Sequence, residues 1–249
     1  MKISVITVCY NSAATLRHTI ESVLSQDYPD IEYIIIDGGS LDETPDIIRS
    51  YGANISKFIS ESDEGIYHAL NKGISMATGD VIGFLHSDDF YTSPAILSVV
   101  ACAFLSTNAD GVYGDLQYVG KEDTNKVFRN WISGSYSEGL FLKGWMPPHP
   151  AFFVKRSCYG KFGLFDTNFL SAADYELMLR FIHRYKIKLA YVPQVLVKMR
   201  VGGKSNVTLL NRWKANREDL KAWKVNGLKP GMFTLLLKPL SKLRQFLSR

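Results

Sequence analysis

Over the first hundred positions the hydrophobic pattern alternates between two periods. KISVITVCY (2–10) is a nearly unbroken apolar run of strand length, and SAATLRHTIESVLSQ (12–26) then sets Leu16, Ile20, Val23 and Leu24 at helical spacing. The alternation repeats. IEYIIID (31–37) predicts a second strand, and Ser40 with Glu43 predicts a capping box opening a helix towards Tyr51. KFIS (57–60) and DVIGFLH (80–86) predict two further strands. EGIYHALNKGISMAT (64–78) and PAILSVVACAFL (94–105) predict the helices that follow them. Strands separated by helices build a parallel sheet covered on both faces, and such sheets bind ligands beyond the carboxyl ends of their strands.

The second half changes texture. GVYGDLQYV and KVFRNWI predict antiparallel strands, and the aromatic, Gly- and Pro-rich GSYSEGLFLKGWMPPHPAFFV leads into another. SAADYELMLRFIHRYK (171–186) predicts a helix with Tyr175, Met178, Leu179 and Ile182 on one face. Two short strands around Pro193, the loop MRVGGKSN and basic helical sequence complete the chain. The expected fold is α/β: a Rossmann-like, mostly parallel sheet flanked by helices, a small antiparallel part, and a C-terminal helical extension. Residues 1–205 form the main domain, with a first half to 105 and a second from 106, and 206–249 form the extension.

Polar residues collect where the predicted strands end: Thr7 to Asn11, Asp37 to Ser40, Ser60 to Asp63, and His86 to Asp89. Asp88 and Asp89 repel each other at the end of a buried strand, which calls for a compensating cation. A hard divalent ion, Mg2+ or Mn2+, held by one or two carboxylates and a diphosphate would supply it. An ordinary turn would also use such residues. Gly38 and Gly39 follow Asp37 and allow close backbone approach, while Asn71 and Lys72 lie on the helix after Asp63, where a lysine can neutralise phosphate or simply face solvent.

Composition narrows the class. Hydrophobic residues at 46% and charged residues at 21% are ordinary for a globular domain. The three widely spaced cysteines match no zinc spacing and read as reduced core thiols, which suits a cytoplasmic protein. MKISVITVCYN is too quickly interrupted for a signal peptide, and no apolar run reaches the length of a membrane-spanning helix. Net charge is +5, unevenly spread: from Lys198 onward there are 13 basic and 2 acidic residues, so the body is acidic and the tail basic. The tail GMFTLLLKPLSKLRQFLSR suits an anionic membrane surface, with packing on the body or an oligomer contact as its other uses. An acidic body without a matching motif speaks against nucleic acid.

SVITVCYN, IIIDGGSLDET, DEGIYHALNKGI, ATGDVIGFLHSDD, PHPAFFVKR and AADYELMLR stand in the order and spacing of family 2 glycosyltransferases. The chain resembles that family over residues 2 to 205, and within it the bacterial members that assemble cell-surface polysaccharides. The resemblance implies a GT-A fold and inverting, metal-dependent transfer of a hexosyl or N-acetylhexosaminyl group from a nucleotide sugar. It implies that Thr7, Tyr10 and Asn11 line the nucleotide pocket, that Asp37 accepts a hydrogen bond from the base with Asp63 nearby, and that Asp88 lies near the ribose. Asp89, in the counterpart of the DXD motif, would hold the metal, and Asp174 would be the catalytic base. Many relatives carry Glu-Asp where this chain has Ala173-Asp174, so acceptor positioning is expected to differ. His149, between prolines, is a candidate for contact with acceptor or diphosphate, and Arg200, before a Gly-Gly pair, for a loop that closes over the diphosphate. Asp37 and Asp63 suit uracil, which favours a UDP-sugar donor; the acceptor would be a glycan or lipid-linked hydroxyl.

Two other classes share features with this sequence. A nucleotidyltransferase uses a similar sheet and paired aspartates, but no Gly-rich, cationic phosphate loop follows the first strand. A non-catalytic nucleotide-sugar scaffold would bind donor without transfer, and the presence of both Asp89 and Asp174 argues against it.

Overall fold

β1 (Ile3–Cys9) is buried along its whole length because both of its faces are covered. Ile3, Val5 and Cys9 point into one apolar cluster, Ile6 and Val8 into another on the opposite side of the sheet. The structure, a computed structural model, describes residues 1–202, 209–231, 234, 237 and 238, with side chains from 217 in the last helix. In chain order the elements after β1 are α1 (Ala13–Leu24), β2 (Ile31–Asp37), α2 (Thr44–Ser50), β3 (Lys57–Ser60), α3 (Ile66–Met76), β4 (Val81–Phe84), β5 (Asp89–Tyr91) and α4 (Ile96–Thr107). The second half adds β6 (Gly111–Val119), β7 (Val127–Trp131), β8 (Phe152–Lys155), α5 (Arg156–Phe162), α6 (Ala173–Met178), β9 (Leu189–Arg200) and α7 (Leu209–Val225).

The strands form one sheet in the order β3-β2-β1-β4-β8-β6-β9-β5, with β7 paired to β6. β3, β2, β1 and β4 are mutually parallel, so their carboxyl ends share one edge. β8 runs antiparallel to β4 and β6, and β6 and β9 are parallel. Helices α1, α2 and α4 cover one face, and α3, α5 and α6 the other.

At the opposite end of β1 and β2, a buried acid ties the sheet to the loop before β4. Glu32, only 3% exposed, accepts hydrogen bonds from Ser4 Oγ at 2.6 Å and the Thr78 amide at 2.7 Å, and pairs with Lys57 Nζ at 2.9 Å. Burial alone would push its carboxyl up. The bonds from Ser4, Thr78 and Lys57 outweigh that and hold it at about 2. A carboxyl depressed on folding stabilises the fold above its unfolded value near 4.5 and loses that contribution as pH falls towards 2. Glu32→Gln is therefore expected to remove about 2–3 kcal/mol of stability at neutral pH and to flatten the loss between pH 5 and 2. Urea denaturation of both proteins at pH 7, 5 and 3 measures this; parallel curves at every pH would contradict it.

Several expectations change. No capping box forms: α2 begins at Thr44 after Glu43, whose side chain makes no cap, and the Ser40 hydroxyl instead bonds Asp37 and the Asn11 amide. β9 is one strand, not two. Its pairing with β6 jumps from Tyr113↔Tyr191 to Asp115↔Val195, so Pro193 sits in a bulge where its missing N–H costs no ladder bond. The helix over 171–186 begins at Ala173 and widens into a π turn over Leu179–Arg184. Cys102 is exposed, unlike the buried Cys9 and Cys158, because only one side of the apolar α4 meets the core. α7 is packed onto α6: Trp223 is fully buried and donates to the Tyr175 hydroxyl at 2.9 Å, and Asn226 donates to Glu176 at 2.9 Å. Lys238 pairs with Asp219 at 2.7 Å and lies over the Tyr175 ring. Loop residues 203–208 and the tail from 239 lie outside the described residues.

Candidate active site at the shared strand edge

The edge where β1 to β4 end is stitched together by short polar side chains. Asp37, fully buried at the end of β2, accepts from the Ser40 amide at 3.0 Å, the Ser40 hydroxyl, and Ser60 Oγ at 2.6 Å. Asn11 has φ +49° and accepts from the Leu41 amide at 3.0 Å, joining the loop after β1 to the loop after β2. Gly39, at φ +78°, lies so near the Ser62 backbone that a Cβ there would stand 3.1 Å from its nitrogen. Tyr10 remains half exposed above this loop pair. Asp63 binds Lys72 Nζ at 2.7 Å through one oxygen; its other oxygen is buried with no donor among the described residues.

β5 is the element the hydrophobic pattern does not announce. Asp89 opens it, opposite Met199 of β9, so the aspartate pair is fixed by a strand rather than left in a turn. The Asp89 side chain is 1% exposed, and both its carboxylate oxygens lack a donor among the described residues. Burial and the neighbouring Asp88 push its carboxyl well above the usual range, with Arg200 opposing them. Burial also raises Asp88. A buried carboxylate with two empty acceptor sites beside a second carboxylate fits a divalent cation. Among the described residues no third acidic, His or Cys group completes a cluster, so the remaining ligands would come from substrate and water.

Arg200 is the nearby fixed cation, but it is no loop residue. It ends β9, is 7% exposed, donates to the Asp88 carbonyl at 2.6 Å, meets His18 Nδ1 at 2.6 Å and lies over the Phe90 ring. Its guanidinium is thus held by the Asp88 backbone, His18 and Phe90 at the end of a strand.

The second half delivers Asp174, in the first turn of α6 and about a quarter exposed. The Tyr67 hydroxyl from α3 lies near this helix start, and burial together with the Asp174 carboxylate pushes it up. His149 Nδ1 is 3.3 Å from Asp174 Oδ2, and His149 Nε2 is 3.1 Å from His86 Nε2. His86 follows the end of β4, two residues before Asp88. Burial pushes His86 down to about 3, and it also lowers His149 against the pull of Asp174 and Asp88.

Asp88, His149 and Asp174 thus come together beside Asp89, and Asp37 and Asp63, with Tyr10 and Asn11, lie on the same strand edge. The site does not gather Thr7, whose hydroxyl is buried against Tyr33 OH at 3.1 Å on the α1 side of β1. Asn71 faces away, exchanging two hydrogen bonds with the Phe165 backbone at 2.9 and 3.0 Å. Lys72 is neutralised by Glu61 at 2.6 Å and Asp63. His86, Tyr67 and His18 were not singled out by sequence; only His86 carried a signal, a polar residue at a strand end beside two aspartates.

Comparison with known proteins bears on the family and the fold. The family described as Glycosyl transferase family 2 matches residues 4–169. An uncharacterized glycosyltransferase of Mycobacterium tuberculosis is 36% identical over 180 residues, 72% of this chain and 68% of that protein. A PGL/p-HBAD biosynthesis glycosyltransferase of Mycobacterium bovis is 31% identical over 208 residues, 82% of this chain and 78% of its own. Two solved structures share the fold at low identity. S. aureus TarS residues 1–349 has TM-score 0.68 at 16% identity, covering 96% of this chain and 71% of that one. The mannosyltransferase PcManGT of Pyrobaculum calidifontis has TM-score 0.66 at 19% identity, covering 97% and 69%. The chain has the GT-A fold and belongs to glycosyltransferase family 2.

Proposed function

We propose that this glycosyltransferase moves a sugar, with inversion, from a UDP-sugar to a hydroxyl of a glycan or lipid-linked acceptor in cell-surface polysaccharide assembly. The observation that carries the reading is the line from Asp174 through His149 to His86, which brings the carboxylate of the second half to the strand end bearing Asp88 and Asp89. A base and a leaving-group site must share one cleft for transfer to occur. Support for the donor class comes from relatives of the fold: TarS has been solved in complex with UDP-GlcNAc, and PcManGT in complex with GDP-Man and Mn2+. The polysaccharide role draws on the PGL/p-HBAD biosynthesis relative.

In this mechanism Asp37 and Asp63 receive the base, the empty oxygen of Asp63 awaiting an N–H donor. Asp88 would face the ribose, and Asp89 would hold Mg2+ or Mn2+. When bound, the ion acts as a Lewis acid that stabilises the leaving diphosphate. Asp174 takes the proton from the acceptor hydroxyl as that oxygen attacks the anomeric carbon opposite the leaving group, and the sugar–phosphate bond breaks. Tyr10 and Asn11 border the nucleotide. No described helix is long and apolar enough to cross a membrane, and the basic, apolar sequence from 239 on would rest on an anionic membrane surface at the cytoplasmic face.

Titration calorimetry with UDP, GDP and dTDP, each with Mn2+ and with chelator, tests the donor site. UDP is expected to bind with Mn2+ and to weaken by at least about ten-fold in chelator or in Asp89→Asn, since loss of even an outer partner of a metal ligand costs about 10–100-fold. No nucleotide binding under any condition would overturn the reading.

A further inference from the structure

With both rings neutral and Asp174 ionised, the three-residue line from Asp174 to His86 takes one arrangement of protons. A carboxylate oxygen can only accept, so the approach of Asp174 Oδ2 to His149 Nδ1 at 3.3 Å favours a hydrogen on Nδ1 over two facing lone pairs. A neutral imidazole carries one hydrogen, which leaves His149 Nε2 as a bare acceptor. His86 Nε2, 3.1 Å away, must then be the donor. With the other tautomer of His86 two lone pairs would face each other at that distance. Partial burial disfavours the charged form of both rings, which favours one hydrogen on each. The rings meet edge to face, with centroids 5.2 Å apart, so the approach is through the nitrogen edge rather than by stacking.

We propose that His86 is a positioning residue for proton removal: by donating its Nε2–H to His149, it fixes that ring as the Nδ1–H tautomer, whose N–H engages Oδ2 of Asp174 and leaves Oδ1 for the acceptor hydroxyl. The inference rests on the reading of Asp174 as base. It gives the first half of the domain, through the residue that follows β4 and Leu85, a direct hold on the base supplied by the second half. Without the His86 donor, His149 is free to carry its hydrogen on Nε2, and a bare Nδ1 would then face a carboxylate that it repels. Asp174 would rotate, and its productive oxygen would be lost from line.

The test uses the ligand-free full chain labelled with 15N-histidine. Two-bond nitrogen–proton spectra, which separate the two tautomers, are recorded for the wild type, His86→Gln and His86→Leu. Gln places an N–H donor where His86 Nε2 stands; Leu fills the space without one. The wild type and His86→Gln are expected to show His149 as Nδ1–H and His86→Leu to lose that signature. Release of nucleoside diphosphate from UDP-glucose, UDP-N-acetylglucosamine and GDP-mannose is measured in parallel. Turnover should fall about ten-fold in His86→Leu at unchanged KM and recover in His86→Gln, the scale expected when a catalytic group is misoriented. Wild-type His149 in the Nε2–H form, or a folded Leu variant with an unchanged spectrum or unchanged turnover, overturns the proposal. If the Leu variant fails to fold, or no probe turns over, the spectra of the wild type and the Gln variant decide. Failure of the base reading is separately visible, because Asp174→Asn would then retain transfer whatever the tautomers.

Discussion

Asp174→Asn is expected to abolish transfer, with a loss of about 10²–10⁴-fold in turnover, while nucleotide affinity stays within about two-fold of wild type. Asparagine keeps the size of the side chain and can still accept from His149 Nδ1, so the line to His86 survives the change. What disappears is the capacity to take a proton. The residue is partly exposed, so the fold has little to lose. Calorimetry with UDP and Mn2+, together with turnover under saturating donor, separates the two effects. A parallel fall in nucleotide affinity would place Asp174 among donor ligands instead.

Trp223→Ala should cost the fold about 3–5 kcal/mol, the range for deleting a buried aromatic side chain. In a chain of this length that corresponds to a fall of roughly 10 °C in Tm. Trp223 is fully buried between Tyr175 and His183, its indole N–H bonded to Tyr175 OH and its ring edge to face with His183 at 5.3 Å. Truncation leaves a cavity and an orphaned hydroxyl directly behind the helix turn that carries Asp174. Trp223→Phe, which keeps most of the packing and loses the hydrogen bond, is expected to cost about 1 kcal/mol more than the apolar difference alone. Thermal melts followed by circular dichroism decide it. An unchanged Tm in the Ala variant would mean that α7 is not part of the body, and that the basic extension folds apart from it.

The first four strands were readable because they are buried on both faces, which leaves apolar runs such as IEYIIID that nothing else explains. Their polar ends located the site edge for the same reason. β5 was not readable: three residues, one of them Asp89, give no period, and the strand exists only because β9 lies beside it. Pro193 suggested a break since a proline removes a ladder bond, whereas a bulge lets the strand pass. Thr7 and Asn71 looked like ligands by position in a motif, but side-chain direction decided otherwise, towards Tyr33 in one case and Phe165 in the other. Arg200 belongs to the same class: the glycines after it suggested a moving loop, while His18 and Phe90, distant in sequence, pin it. Tertiary partners are what a one-dimensional pattern lacks.

The pairing of Asp89 with Met199 has a consequence for the order in which the protein comes into being. The aspartate that would hold the ion is made early, yet its strand partner is 110 residues further along. During synthesis the sheet of β1 to β4 can assemble from local βα units, but the Asp88–Asp89 pair stays unframed until the ribosome has released roughly two hundred residues. A nascent chain tethered before β9 should therefore be compact and yet unable to retain a nucleotide, and it would gain that capacity late and all at once.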